Sequence, residues 1–174
     1  MIDGEERRKQ IIKELKISDK AISASSFAKQ FGVSRQSIVG DIALMRAAGE
    51  EITATARGYL LPQDHKQNKL TRKLAVQHRA DQTEEELAII VSCGGEVLDV
   101  IVEHPLYGEL TGSLHIKTKK DIELFMKQYQ KSQATLLSQL TEGIHLHTIR
   151  YPDEKTLLKI QEELTKANIL YLPR

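Results

Sequence analysis

Histidine carries the first chemical signal in this chain: six occur among 174 residues, and imidazole is both the commonest metal ligand and a titrating group near neutral pH. His145-Leu146-His147 is the most informative pair. In a strand, residues two apart face the same way, so both imidazoles and Ile149 project together. Two rings so placed can hold one borderline metal such as zinc, nickel or iron. A pair of half-buried strand histidines bonded to backbone would show the same spacing. His78 shares an apolar strand face with Leu74 and Val76, where an ionisable ring is costly without a partner. Glu86 ends the run Thr83-Glu84-Glu85-Glu86. Either it closes a capping box onto the Thr83 amide, or Asp81 is the cap, Glu84 takes that role, and Glu86 is left to bind metal. The last cluster is His104-Pro105-Leu106-Tyr107-Gly108. An imidazole, an aromatic ring and turn amides can line a pocket for a flat heteroaromatic acid, or simply form a β-turn with its hydrogen bonds satisfied.

Positioning these groups requires a sheet with helices on one face. Leu74, Val76 and His78 mark a short strand, and a helix over about 82–93 ends at Gly94-Gly95. Val97–Glu103 and Glu109–Ile116 read as a strand pair, with Leu98, Val100, Val102 and His104 on one face. A helix over about 119–130 precedes a polar stretch and a strand at about Ile144–Arg150. Pro152-Asp153 opens a helix to about Lys166, and Ile169–Leu172 reads as a final strand. This is an α+β layer.

The first third of the chain has a different pattern. Ile11, Ile12, Leu15 and Ile17 stripe a first helix, a second runs from about Ala24 to Phe31, and Ser34 caps a third that continues to about Ala48. Ala28 permits close helix approach and Gly32 permits the positive φ of a sharp turn. Two helices so joined suit a helix-turn-helix. Ser34, Arg35, Gln36 and Ser37 then form the exposed start of a recognition helix. Arg35 can reach guanine and Gln36 adenine in the major groove, while Arg46 and Lys29 suit phosphate. Residues 52–55 and 58–61 read as two strands with Arg57 at the tip, placed like a wing residue against the backbone or minor groove. The polar, proline-led segment 63–70 reads as a linker between a DNA-binding domain, 1–62, and a second domain, 71–174.

Bulk properties exclude several classes. An apolar share of 40% and a charged share of 28% are ordinary for a soluble globular protein. No apolar run reaches the length of a membrane span, and the first eight residues lack the apolar core of a signal peptide. Cys93 stands alone, so no intrachain disulfide can form and a cytoplasmic setting is expected. Residues 1–70 hold 12 Lys/Arg against 9 Asp/Glu, and residues 71–174 hold 13 against 15. That surplus is small, so nucleic-acid binding must be argued from where the charges sit.

The stretch Phe27–Ile42 with Gly49, Ile52 and Gly58-Tyr59 resembles the winged helix-turn-helix of the biotin-repressor type. His78, the Glu-rich helix start, Glu103-His104-Pro105-Leu106-Tyr107-Gly108-Glu109 and Gly143–Ile149 resemble the three-histidine (3H) domain. Together, over essentially the whole chain, they are similar to the niacin-responsive transcriptional repressors. The resemblance implies a homodimer that binds double-stranded operator DNA with nicotinic acid or nicotinamide as co-repressor, controlling genes of NAD synthesis or niacin uptake. It also implies a metal held by His78, Glu86, His145 and His147; the metal and the region of His104 and Tyr107 are then expected to bind the pyridine carboxylate together. His65 and His115 match no motif and read as surface residues. Two other readings stand beside this one: a regulator for which the metal itself is the signal, and a metallohydrolase with Glu86 as general base. The second lacks a nucleophile motif, a glycine-rich phosphate loop and a further acid cluster, so a regulator rather than an enzyme is expected.

Overall fold

The computed structural model describes residues 2–62, 70–132 and 134–172. The chain divides into two compact units, Met1–Lys66 and Gln67–Arg174. Of the stretch read as a linker, only Leu70 is described, and it opens a strand; the rest, His65 included, lies outside the described residues.

In the first unit, α1 (Gly4–Ile17), α2 (Ala24–Phe31) and α3 (Arg35–Ala47) precede β1 (Thr53–Thr55) and β2 (Gly58–Leu60). Short polar side chains begin each helix: Asp3, Ser23 and Ser34 accept from the amides of Glu6, Ser26 and Ser37. These bonds satisfy amides that a helix start leaves without partners. Gly32 ends α2 in the left-handed region at φ 65°, which glycine adopts without steric cost. Ile11, Leu15, Phe27, Ile38 and Ile42 close the core between the three helices. The β1–β2 pair is antiparallel and one residue shorter per strand than the sequence suggested. Tyr59 also bridges to Ile22, which ties the hairpin to the loop before α2.

A charge lies inside this core. Asp41 is 4% exposed, and its carboxylate accepts from Arg7 Nε at 2.6 Å and Arg8 Nη1 at 3.1 Å. Two cations of α1 therefore clamp the middle of α3, and Asp41 holds the Arg7 guanidinium in its charged form. Asp41→Ala is expected to destabilise this unit by about 1.5–3 kcal/mol, the range for hydrogen bonds to charged groups. A thermal scan of the full-length protein checks this, and Asp41→Asn, which keeps the side-chain shape, should lose less.

The second unit is a four-stranded antiparallel sheet in the order β3 (Leu70–Gln77), β6 (Ile144–Tyr151), β4 (Glu96–His104), β5 (Gly108–Ile116). Three helices accompany it, α4 (Thr83–Ser92), α5 (Lys119–Ser132) and α6 (Glu154–Lys166), with short 3-10 turns at Ala80–Gln82 and Leu137–Thr141. Leu74, Val76 and Ile149 of the sheet pack with Leu87 and Ile90 of α4 and with Leu157, Ile160 and Leu164 of α6. Fully buried side chains of this kind contribute about 1.5–3 kcal/mol each. The final strand expected at Ile169–Leu172 is reduced to one bridge, Val76 to Leu170, flanked by Gln77 N to Ile169 O and Tyr171 N to Ala75 O.

One irregularity matters for the site. The β4–β6 register shifts between Val97, opposite Ile149, and Ile101, opposite Leu146. Strand alternation then places Val97 on the helix-covered face before the shift and Val100 on it afterwards. The single apolar face expected for Leu98, Val100, Val102 and His104 is therefore broken at its first residue.

Candidate functional site

Three imidazoles and one carboxylate converge where β3 ends beside β6, under the first turn of α4. His78 follows directly after β3, Glu86 lies on α4, and His145 and His147 lie on β6. All four are buried, at 8%, 1%, 4% and 4% exposure. The Nδ1 atom of each ring meets a backbone carbonyl: His78 with Arg79 O at 2.7 Å, His145 with Gly143 O at 2.8 Å, His147 with Asp99 O at 2.7 Å. A carbonyl can only accept, so each Nδ1 carries its hydrogen and each neutral ring turns an Nε2 lone pair inward. The three Nε2 atoms surround Glu86. Those of His78 and His147 contact its Oε2 and Oε1, and His145 Nε2 lies 3.4 Å from Oε2.

This arrangement fits a metal ion. His145 Nε2 and His147 Nε2 stand 3.1 Å apart, and two neutral lone pairs cannot bond each other. His78 Nε2 and Glu86 Oε2 are buried without a hydrogen-bond partner. Ligand atoms of His78, Glu86 and His145 all lie within 4.8 Å of one another, and His147 joins them through its contacts with Glu86 and His145. Three imidazoles and a carboxylate suit zinc, nickel or iron. Without metal, the His78 and His147 rings and the Glu86 carboxylate shift one another toward their charged forms. Burial pushes the Glu86 carboxyl up, but the charge of His147 and the contacts of all three rings outweigh it and hold the group well below its ordinary range. Burial also opposes charge on His78 and His147, and Glu86 reverses this, raising both.

Gly143 makes the cluster possible. It has φ 88°, and a Cβ there would run into the His78 carbonyl oxygen. Its own carbonyl orients His145 and accepts from His78 N at 3.4 Å. Gly143→Ala therefore separates β3 from β6 at the cluster. Strain at such positions costs about 1–3 kcal/mol, and zinc affinity, measured by competition with a chelating dye, should fall by about 10–100-fold, as when ligand orientation is lost.

Beside the cluster lies a narrow cavity of about 40 Å³. Its walls include Leu87, Val100, Leu114, Phe125 and Leu137, with Thr83 and Ser138 as polar members beyond the cluster. In the first unit, Ser34, Arg35, Gln36 and Ser37 are all exposed at the start of α3, as is Arg46 in its last turn. The Ser34 and Ser37 hydroxyls lie 2.9 Å apart within the cap. Arg57, at the β1–β2 turn, is half-buried, and its amide donates to Thr55 Oγ1 at 3.2 Å.

Comparison with known proteins agrees with both halves. Residues 7–60 match the model of an HTH domain, and residues 71–172 match that of the 3H domain. The chain belongs to the family of HTH–3H transcription repressors. It is 41% identical over 171 residues to the transcription repressor NadR of Bacillus subtilis, covering 96% of this chain and 94% of the relative. It is 39% identical over 166 residues to the probable transcription repressor NiaR of Thermotoga maritima, covering 95% and 94%. The family is one of regulators, not enzymes, and no helix among the described residues is long and apolar enough to cross a membrane.

Within the 3H unit the structure corrects the expectations for the start of α4 and for His115. Neither capping box forms on α4: Gln82 precedes the helix without a side-chain cap, Asp81 pairs with Arg79 at 3.2 Å, and Glu86 is committed to the imidazoles. His104 and Tyr107 do not line the cavity. His104 Nδ1 accepts from the Leu106 and Tyr107 amides at 3.1 and 3.3 Å, and Tyr107 is 68% exposed. The turn's own amides thus engage the His104 imidazole at the hairpin tip. His115 is half-buried at φ 51° in β5, not a plain surface residue. Sequence reasoning missed Asp99, whose carbonyl orients His147 while its carboxylate accepts from Thr148 N at 2.8 Å. That role depends on the β4 register shift, which has no local signature. Gly143 was visible in the motif, and a glycine before a histidine pair is the signal that marks it.

Proposed function

We propose that the protein is an operator-binding transcription repressor whose 3H unit holds a divalent transition metal and takes nicotinic acid as co-repressor. The observation that carries this reading is the convergence of three Nε2 lone pairs and one carboxylate in a buried site beside an apolar cavity. His78, Glu86, His145 and His147 hold the ion. A bound cation supplies a Lewis-acidic anchor for a carboxylate.

The residues themselves set the preference for an acid. Glu86 gives one negative charge against two positive charges on the ion, and the imidazoles are neutral, so the buried site carries a surplus of one positive charge. Such a surplus is costly in a low-dielectric setting unless paired. Nicotinic acid supplies the anion, whereas nicotinamide does not. The cavity walls exclude water from the ring, and the backbone carbonyls of Arg79, Gly143 and Asp99 keep each Nε2 free to bind.

On the DNA side, α3 enters the major groove with Arg35 and Gln36 on base edges, Ser34 and Ser37 at its start, and Arg46 and Arg57 on the backbone. A homodimer presents two such helices about one helical turn apart. Domains 1–62 and 71–174 act as reader and sensor. The effector shifts DNA affinity only by as much as it prefers one dimer geometry over the other.

Operator affinity measured in four states tests this, with zinc present or stripped and nicotinic acid present or absent. Tight binding only when both are present is the expected result. A switch driven by zinc alone replaces the niacin reading with a metal sensor, and equal affinity in all four states removes both.

A further inference from the structure

Thr83 presents a polar group with nothing to bond. It is the first residue of α4, 8% exposed, and its Oγ1 is buried without a hydrogen-bond partner. An unsatisfied buried hydroxyl is costly, and threonine at a first helical turn usually bonds locally. This one instead lines the apolar cavity beside the cluster. Thr83 stands three residues before Glu86, so the two side chains rise from one helix face about 5–6 Å apart between Cβ atoms. The cavity thus offers two polar positions, the charged cluster and a neutral hydroxyl, with Leu87, Val100 and Leu137 between hydrocarbon walls. A small planar ring with an anionic substituent at one side and a neutral acceptor at the other complements it.

We infer that Thr83 is the specificity-determining residue of the effector site, donating from Oγ1 to the ring nitrogen of a pyridine carboxylate whose ring fills this cavity. The inference rests on the effector reading above and adds to it the location of the ring and the group that reads it. The anion belongs at the cluster, where positive charge accumulates, which leaves the neutral nitrogen for the neutral hydroxyl. His78 and Ser138 also line an open polar groove with Gln77, Arg79 and Gln139.

The test compares nicotinic acid with benzoic acid, the same acid without the ring nitrogen, by titration calorimetry on zinc-loaded full-length protein. Wild type should bind nicotinic acid roughly tenfold more tightly than benzoic acid, the factor of one neutral hydrogen bond. Thr83→Val, nearly the same shape, should lose that tenfold for nicotinic acid and leave benzoic acid unchanged, while Thr83→Ser retains the preference. The absorption spectrum of the cobalt-loaded protein should be the same in wild type and Thr83→Val, which separates ring recognition from damage to the metal site. Equal nicotinic acid affinity in wild type and Thr83→Val overturns the role of Thr83 and leaves the effector reading standing. Binding of neither acid by wild type overturns the effector reading and this inference with it.

Discussion

Glu86→Gln should lower zinc affinity more than a hundredfold while leaving the metal-free protein folded. Changes to residues that merely orient a ligand cost about 10–100-fold, and Glu86 is the group around which all three imidazoles gather. The amide keeps the carboxylate's shape but loses its charge. The fold survives because the hydrophobic core, not the cluster, holds the sheet to α4 and α6. Competition titration with a chelating dye reads the affinity, and circular dichroism reads the fold.

The same cluster reverses its pH dependence when metal enters. Without metal, Glu86 raises His78 and His147 above 6.5, so their pairing stabilises the fold fully below that value and loses the benefit as pH rises through the raised values. Glu86, held well below its ordinary range, surrenders its contribution only in strong acid. A metal requires each Nε2 free of its proton. The zinc-induced rise in melting temperature should therefore grow between about pH 5.5 and 8.

Arg35→Ala should weaken operator binding by about 1–3 kcal/mol, roughly 5- to 150-fold, and relax discrimination at one base pair. Arg35 is the first residue of α3, exposed beside the Ser34 cap, at the end of a helix that base-reading side chains occupy. Arg46, in the last turn of α3, is expected to contact phosphate. Arg46→Ala should weaken binding to all sequences alike and reduce the salt slope by about one, without changing base preference. Gel-shift titrations over a salt series separate the two. Identical losses on operator and random DNA for Arg35→Ala would remove its base-reading role.

Local rules carried most of the fold. Serine caps, Gly32 and a 3.6-residue apolar period located α2 and α3, because each depends on neighbours in sequence. The histidine pair was legible for the same reason, since strand alternation alone puts His145 and His147 on one face. What escaped were features set by contacts across the chain. Asp41 is buried only because Arg7 and Arg8 arrive from α1. The cavity lining includes Phe125 and Leu137, far from Thr83 in sequence. At the hairpin tip the turn's own amides engage the His104 imidazole, a contact that the residue types alone did not show.

Titration of nicotinic acid into full-length protein, first loaded with zinc and then stripped by chelation, probes the metal-anchored effector most directly. Saturable binding at one molecule per chain when loaded, and none detectable when stripped, is the expected result. Equal binding in the two states would contradict it, because the acid would then be held without the cluster of His78, Glu86, His145 and His147.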